Sequence, residues 1–348
     1  MRTTTRPWIG LAVVLGMIAP ARGQEATKKP YPTFGSIERK DAKLDALIPK
    51  DAKIEKLAEG FDWSEGPVWL RDRGNNSPAG ALLFSDVPKN TVYIWRESQG
   101  VREYLKPSGY TGKVPRGGEP GSNGLVIDDF GRLVLCQHGD RRVARLADNN
   151  TFVTLADRYD GKRLNSPNDA TYNAKGDLYF TDPPYGLLKL NDDPAKELPF
   201  NGVYRLDREG KLTLLTREMT FPNGIAFSPD EKTLYVANSD PKKAIWMAFP
   251  VKDDGTIGTG RVFADVTKLV EAGKKGLPDG MKVDRAGNLF ATGPGGVLVF
   301  APDGTHLGTL DTGEATANCN FGGDGSDLYI TADMYIGRVK TTTKGKGF

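Results

Sequence analysis

The chain of 348 residues is poor in the groups from which compact catalytic and metal sites are usually assembled. It has two cysteines, Cys136 and Cys319, and two histidines, His138 and His306. So few exclude a disulfide framework and a dedicated Cys/His zinc set. Cys136 falls in an apolar strand pattern and reads as a small buried hydrophobe, so two free thiols are expected. No G-x-S-x-G elbow occurs, and two histidines leave little room for a Ser–His–Asp triad. No G-x-G-x-x-G joins a strand to a helix, so no nucleotide cofactor is indicated; the stretch GGEPG at 117–121 reads as a plain loop. Long amphipathic helical periods are missing too. Only Thr267–Lys274, inside an insertion, suggests a helical turn or two.

Neither sign of charge dominates. Arg2, Arg6 and Arg22 belong to an N-terminal segment without acids. Setting those three aside brings the 47 basic residues to 44, equal to the 44 acidic ones. No phosphate-tracking surface follows from such a balance, and no nucleic-acid partner is expected. The basic run Lys340–Lys346 reads as a solvated tail. The one long apolar run, Trp8 to Ala19, follows two arginines and precedes Ala21-Arg22-Gly23. This is the pattern of a cleaved secretory signal over residues 1–23, too short to span a bilayer comfortably. The expected location is periplasmic or secreted, with no membrane partner. Residues 24–50, rich in Lys, Pro and Ala, are expected to form a flexible leader, residues 51–342 one domain, and residues 343–348 a tail.

What the sequence has in quantity is a repeat. SPND (Ser166–Asp169) returns as GSNG (Gly121–Gly124), FPNG (Phe221–Gly224) and LPDG (Leu277–Gly280). A short apolar strand follows each copy, then a turn and a second strand: GRLVLC, GDLYFTD, KTLYVAN or GNLFATG. Six such units can be laid out, starting at Glu65, Asn123, Asn168, Asn223, Asp279 and Asn318. A unit of this kind cannot bury its apolar face alone. The sixth unit lacks an outer strand, and Lys53–Ala58 is a strand without a sheet. Pairing them predicts an all-β, six-bladed β-propeller with four-stranded blades, its ring closed by an N-terminal strand. A β-sandwich of similar strand count is the alternative, but it gives no reason for the recurring Asn or Asp.

In a propeller the starts of the inner strands converge on the channel. Glu65, Asn123, Asn168, Asn223 and Asp279 would then present hard oxygen donors from several directions, a set suited to Ca²⁺. Mg²⁺, Mn²⁺ or Zn²⁺ are alternatives. Asn-Gly and Asp-Gly are also ordinary turn formers, so each residue taken singly has a plain structural explanation. Glu65, in SEGPVW, does not. His138 ends the second strand of its unit and is either a turn histidine or a proton shuttle and substrate contact. Asp182 and Tyr185 in TDPPYG suggest a rim over the channel.

These pieces carry a resemblance. SEGPVW (Ser64–Trp69), SNGLVID (Ser122–Asp128), LNSPND (Leu164–Asp169), YFTDPPYG (Tyr179–Gly186), PNGIAFS (Pro222–Ser228), LPDGM (Leu277–Met281) and NFGG (Asn320–Gly323) occur in an order and spacing similar to the gluconolactonase, regucalcin and luciferin-regenerating-enzyme family. QHGDRRV (Gln137–Val143) resembles the bacterial gluconolactonase branch. The resemblance implies a divalent metal held by Glu65, Asn223 and Asp279, with Asn168 as a further ligand. It implies hydrolysis of a sugar lactone. Asn123, His138, Asp169 and Tyr185 are the candidate substrate contacts. Asp279 is the leading proton acceptor and His138 the other. Animal members carry an Arg two residues before the Asn of SPND; here that position is Ser166. An aryl-ester or organophosphate hydrolase on the same site, and a non-catalytic propeller stabilised by its metal, are the competing readings.

Overall fold

Each repeated unit folds into one antiparallel sheet, and the sheets close a ring. The structure, a computed structural model, describes residues 30–72 and 79–348. The expected signal segment lies outside the described residues. Six blades follow one another, with inner strands Ser64–Arg71, Ser122–Ile127, Ala170–Tyr172, Pro222–Phe227, Met281–Val283 and Thr316–Gly322. In every blade the next strands in sequence pair outward from the inner one. Each inner strand touches the next around the ring, and the sixth touches the first. A β-sandwich has no such closure.

The buried apolar side chains among the described residues form six clusters, each spanning two adjacent blades. The core therefore lies between blades, and aromatic side chains fill it. Trp69 of the first blade stacks on Tyr329 of the sixth, with centroids 5.3 Å apart and planes at 15°. Phe290 and Phe321 meet edge to face at 5.2 Å across the fifth and sixth. Cys136 and Cys319 are free and buried, as expected, and burial raises both thiols, Cys319 to about 12. Thr267–Glu271 forms the one short α-helix that the sequence suggests. No described helix is long and apolar enough to cross a membrane.

The closing strand is Ile54–Glu59, which pairs with Tyr335–Lys340 of the sixth blade. Two expectations at the chain ends need correction. Within the leader predicted for residues 24–50, the described residues 30–50 are packed against the ring rather than flexible. Thr33–Phe34 adds a fifth strand to the sixth blade, and Ser36–Arg39 adds a fifth to the fifth blade. Leu44 and Ile48 are fully buried between those blades. The segment thus bridges the two blades beside the ring closure. Apolar insertion and edge pairing outweigh its polar composition.

The C-terminal tail is not simply solvated either. Lys346 N donates to Val283 O at 2.9 Å and Gly345 N to Gly325 O at 3.0 Å. Arg71 Nη2 donates to Gly347 O at 2.9 Å and lies 4.5 Å from the Phe348 ring centroid. Lys346 Nζ pairs with Glu231 at 2.9 Å. The tail crosses the channel end where the inner strands finish. Its lysines have specific partners there, which composition alone does not reveal.

Candidate active site

The opposite end of the channel, where inner strands begin, collects the predicted residues. Four inner strands carry a bulge or register shift at this end, between Glu65 and Val68, Ser122 and Leu125, Pro222 and Ile225, and Thr316 and Asn318. A bulge re-aims side chains, here toward the axis. The glycines after the Asx or Glu residues have a different purpose from turn formation. A Cβ on Gly66 would meet Asn123 O at 2.1 Å, on Gly124 Asn168 O at 2.6 Å, and on Gly224 Asp279 O at 2.2 Å. On Gly280 it would meet Asn318 Cγ at 1.9 Å. Each glycine lets the next inner strand approach, so X-Gly is the signature of ring packing.

A cavity of about 450 Å³ opens here, walled by Glu65, Asn123, Asn168, Tyr185, Asn223 and Asp279 together with Trp63, Glu119, Ser239, Val270, Leu277 and Thr316. The amide nitrogens are turned away from it by specific acceptors. Asn223 Nδ2 donates to Ser239 Oγ at 2.9 Å, and Asn168 Nδ2 faces His138 Nε2 at 3.5 Å. The corresponding oxygens, Asn223 Oδ1 and Asn168 Oδ1, have no hydrogen-bond partner, and neither have Asn123 Oδ1 and Asp279 Oδ1. Buried polar atoms are almost always paired, so four orphaned acceptors in one cavity wall require an explanation. Glu65 is held by Gly66 N–H at 2.8 Å and by Asn318 Nδ2 at 3.4 Å, both on Oε2.

The electrostatics agree. Burial raises the Glu65 carboxyl above its ordinary value, and Asp169 and Glu119 add to the rise against the pull of Gly66 and Asn318. Burial raises Asp279 well above its ordinary range, and the Glu65 charge raises it further. No Lys or Arg lines this cavity among the described residues. Two disfavoured anions beside unpaired carbonyl-type oxygens fit a hard divalent cation. Among the described residues no three His, Cys, Asp or Glu side chains gather to hold a metal by themselves. Any cation at this mouth therefore depends on the asparagine oxygens.

The other predicted residues divide. Asn123 and Tyr185 reach the cavity, and Tyr185 stacks on Phe221 at 5.9 Å and 14°. His138 and Asp169 do not wall it. His138 is fully buried behind Asn168, a correction to its expected place as a substrate contact and shuttle. The strand end that carries it turns inward beneath Gly186, where a Cβ would strike His138 Cβ at 2.7 Å. Asp169 is also buried, and its Oδ1 accepts Ala170 N–H at 2.9 Å. Asp182 is no rim residue. It accepts the N–H groups of Asn165 and Ser166 at 2.8 Å each, holding the SPND loop, and burial pushes its carboxyl up to about 7.

Three site residues escape the sequence reading. Asn318 shares the repeat register, which is a usable signal. Ser239 and Glu119 have none: Ser239 follows the second strand's recurrent pattern, and Glu119 lies in the loop between the first and second blades.

A closed ring of six sheets with an oxygen-lined mouth defines a six-bladed β-propeller. The family described as SMP-30/gluconolactonase/LRE-like region matches residues 63–333, and the chain belongs to it. It is 40% identical over 319 residues to a gluconolactonase of Zymomonas mobilis subsp. mobilis, covering 90% of this chain and 88% of that protein. The solved gluconolactonase of Xanthomonas campestris superposes with a TM-score of 0.75 at 33% identity, over 90% of this chain and 99% of that one. A regucalcin from Agrobacterium tumefaciens, described as calcium-binding, shares the fold with a TM-score of 0.64 at 19% identity, over 84% and 94% of the two chains.

Proposed function

We propose that the protein is a metal-dependent hydrolase that opens sugar lactones. The observation that carries this reading is the set of unpaired oxygens of Asn123, Asn168, Asn223 and Asp279 in one cavity wall. Their neighbour Glu65 supplies the second carboxylate. Similarity to two gluconolactonases supports the substrate class. A divalent cation held by Glu65, Asn168, Asn223 and Asp279, with Ca²⁺ favoured by the all-oxygen set, supplies Lewis acidity toward a carbonyl and toward water.

The chain's own residues do the rest. His138 and Ser239 hold the amides of Asn168 and Asn223 with their oxygens toward the cavity. Asn123 offers an amide to the hydroxyls or ring oxygen of the bound lactone. Tyr185, backed by Phe221, and Trp63, Val270 and Leu277 form an apolar wall that excludes water from one face of the substrate. Asp279 serves as a ligand in this arrangement.

The experiment is hydrolysis of gluconolactone followed by acid release, with and without chelator. It is run on the wild type and on Asp279→Ala and Glu65→Gln. Loss of turnover on chelation and its return with Ca²⁺ are expected, with both variants inactive. Chelator-resistant turnover removes the metal from the reaction. A protein that binds Ca²⁺ tightly yet opens no lactone is a binding module instead. We further infer export from the pattern of residues 1–23. N-terminal sequencing of the exported protein should begin at Gln24; an intact Met1 on a cytosolic product refutes export.

A further inference from the structure

We propose that Glu119 is the general base that deprotonates the attacking water, an inference that rests on the hydrolase reading above. Glu119 is the third carboxylate of the cavity and the only one outside the inner-strand ring. Glu65 and Asp279 are placed as cation ligands, which weakens them as bases. Glu119 accepts no backbone N–H among the described hydrogen bonds, and its side chain is 36% exposed. It lines the same cavity as Glu65, Asp279 and Tyr185, the space where substrate must sit.

The loop that carries it is pinned. Arg116 donates to Gly139 O at 3.0 Å and to Gly186 O. Pro120 follows Glu119 and passes its carbonyl to Gly139 N–H at 3.2 Å. Behind the carboxylate stands His138, whose Nδ1 is 3.3 Å from Glu119 Oε2. The same ring presents Nε2 to Asn168 Nδ2 at 3.5 Å. Nδ1 has no hydrogen-bond partner, so its approach to Glu119 is a close contact between a buried ring nitrogen and the carboxylate. One buried imidazole thus contacts both a ligand and the base, which makes His138 a positioning residue.

The step balances without a further reactant. Glu119 takes a proton from water as the water oxygen bonds to the lactone carbonyl carbon. The bond from that carbon to the ring oxygen then breaks, and the ring oxygen receives the proton from Glu119. The product is the open hydroxy acid, and Glu119 returns to its anionic form.

The test uses Glu119→Gln and Glu119→Ala in the full chain, with Ca²⁺ affinity measured by titration calorimetry beside lactone kinetics. The expected result is a fall in kcat of about 10²- to 10⁴-fold, with KM and Ca²⁺ affinity within about threefold of wild type. The acid limb of the kcat–pH profile should disappear in Glu119→Gln. Added formate should restore turnover to Glu119→Ala in proportion to its concentration. His138→Ala should differ by weakening Ca²⁺ binding about tenfold and displacing the acid limb. Full turnover in Glu119→Gln overturns the proposal. So does a Ca²⁺ affinity that falls together with kcat, which would make Glu119 a ligand. A wild type inert toward lactones is a separate outcome: it overturns the hydrolase reading, and the proposal with it.

Discussion

Asp279 and Asp284 lie five positions apart in the fifth blade, at opposite ends of the channel, and their surroundings are opposed. Asp284 is completely buried and fully partnered. Its Oδ1 accepts the N–H groups of Ala286 and Asn288 at 2.9 and 2.8 Å. Its Oδ2 accepts Asn288 Nδ2 and Thr343 Oγ1 at 2.8 Å each. Asp279 Oδ1 has no donor at all. The wider recess at the Asp284 end, about 1150 Å³, follows the same rule: Asp128 beside it accepts Phe130 N, Arg132 N and Arg132 Nε between 2.7 and 2.9 Å. Asp128 is thus satisfied as Asp284 is, whereas Asp279 is not. Single unpaired acceptors also occur elsewhere, at Asn165, Asp169 and Asp327; what distinguishes the smaller cavity is that four of them share one wall, the arrangement a ligand would complete.

The sharpest test of that contrast is to remove the same charge at both ends. Asp279→Asn should lower lactone turnover by about 10²- to 10³-fold or more. Yet it should raise the melting temperature of chelator-treated protein, because it ends repulsion with Glu65. A lower melting temperature under chelation would mean that Asp279 is structural after all. Closing the ring more tightly comes next. Gly280→Ala drives a Cβ into Asn318 Cγ, and we expect about 3 kcal/mol of destabilisation, read by urea denaturation. A neutral result would show that the inner strands do not depend on this approach.

Asp284→Asn should cost about 2 kcal/mol, since a new NH₂ must face existing donors, while Ca²⁺ affinity stays unchanged in calorimetry. Altered Ca²⁺ affinity would couple the two mouths and break the comparison. The smallest effect is expected for Arg71→Ala, which removes the stacking on Phe348 and the bond to Gly347 O. Thermal denaturation should show a loss of about 0.5–1 kcal/mol with kcat unaffected.

Much of the fold and part of the site were legible in the sequence. Glu65, Asn123, Asn168, Asn223 and Asp279 could be found because a repeat places equivalent residues at equivalent depth. The closing strand could be found because the sixth unit lacked one. Asn318 could be read as the start of the sixth unit, but it is followed by Cys319, and without the X-Gly mark its contact with Glu65 was not legible. Thr33–Phe34 and Ser36–Arg39 are too short for a period of two to show. Glu119 sits in a connection between blades, where no repeat supplies a counterpart. His138 was visible as a rare residue, but its depth was not.

By itself the sequence determined the number of sheets, their register and the kinds of donor that meet at the axis, since periodicity and the spacing of Asx-Gly pairs are local properties of the chain. The tertiary structure alone decided which carboxylates are satisfied and which wait for a partner. Hydrogen-bond saturation depends on donors brought from distant segments, as Thr343 is to Asp284 and Asn318 is to Glu65. Two aspartates that look alike in the chain become a structural brace and a candidate ligand only when the ring closes around them.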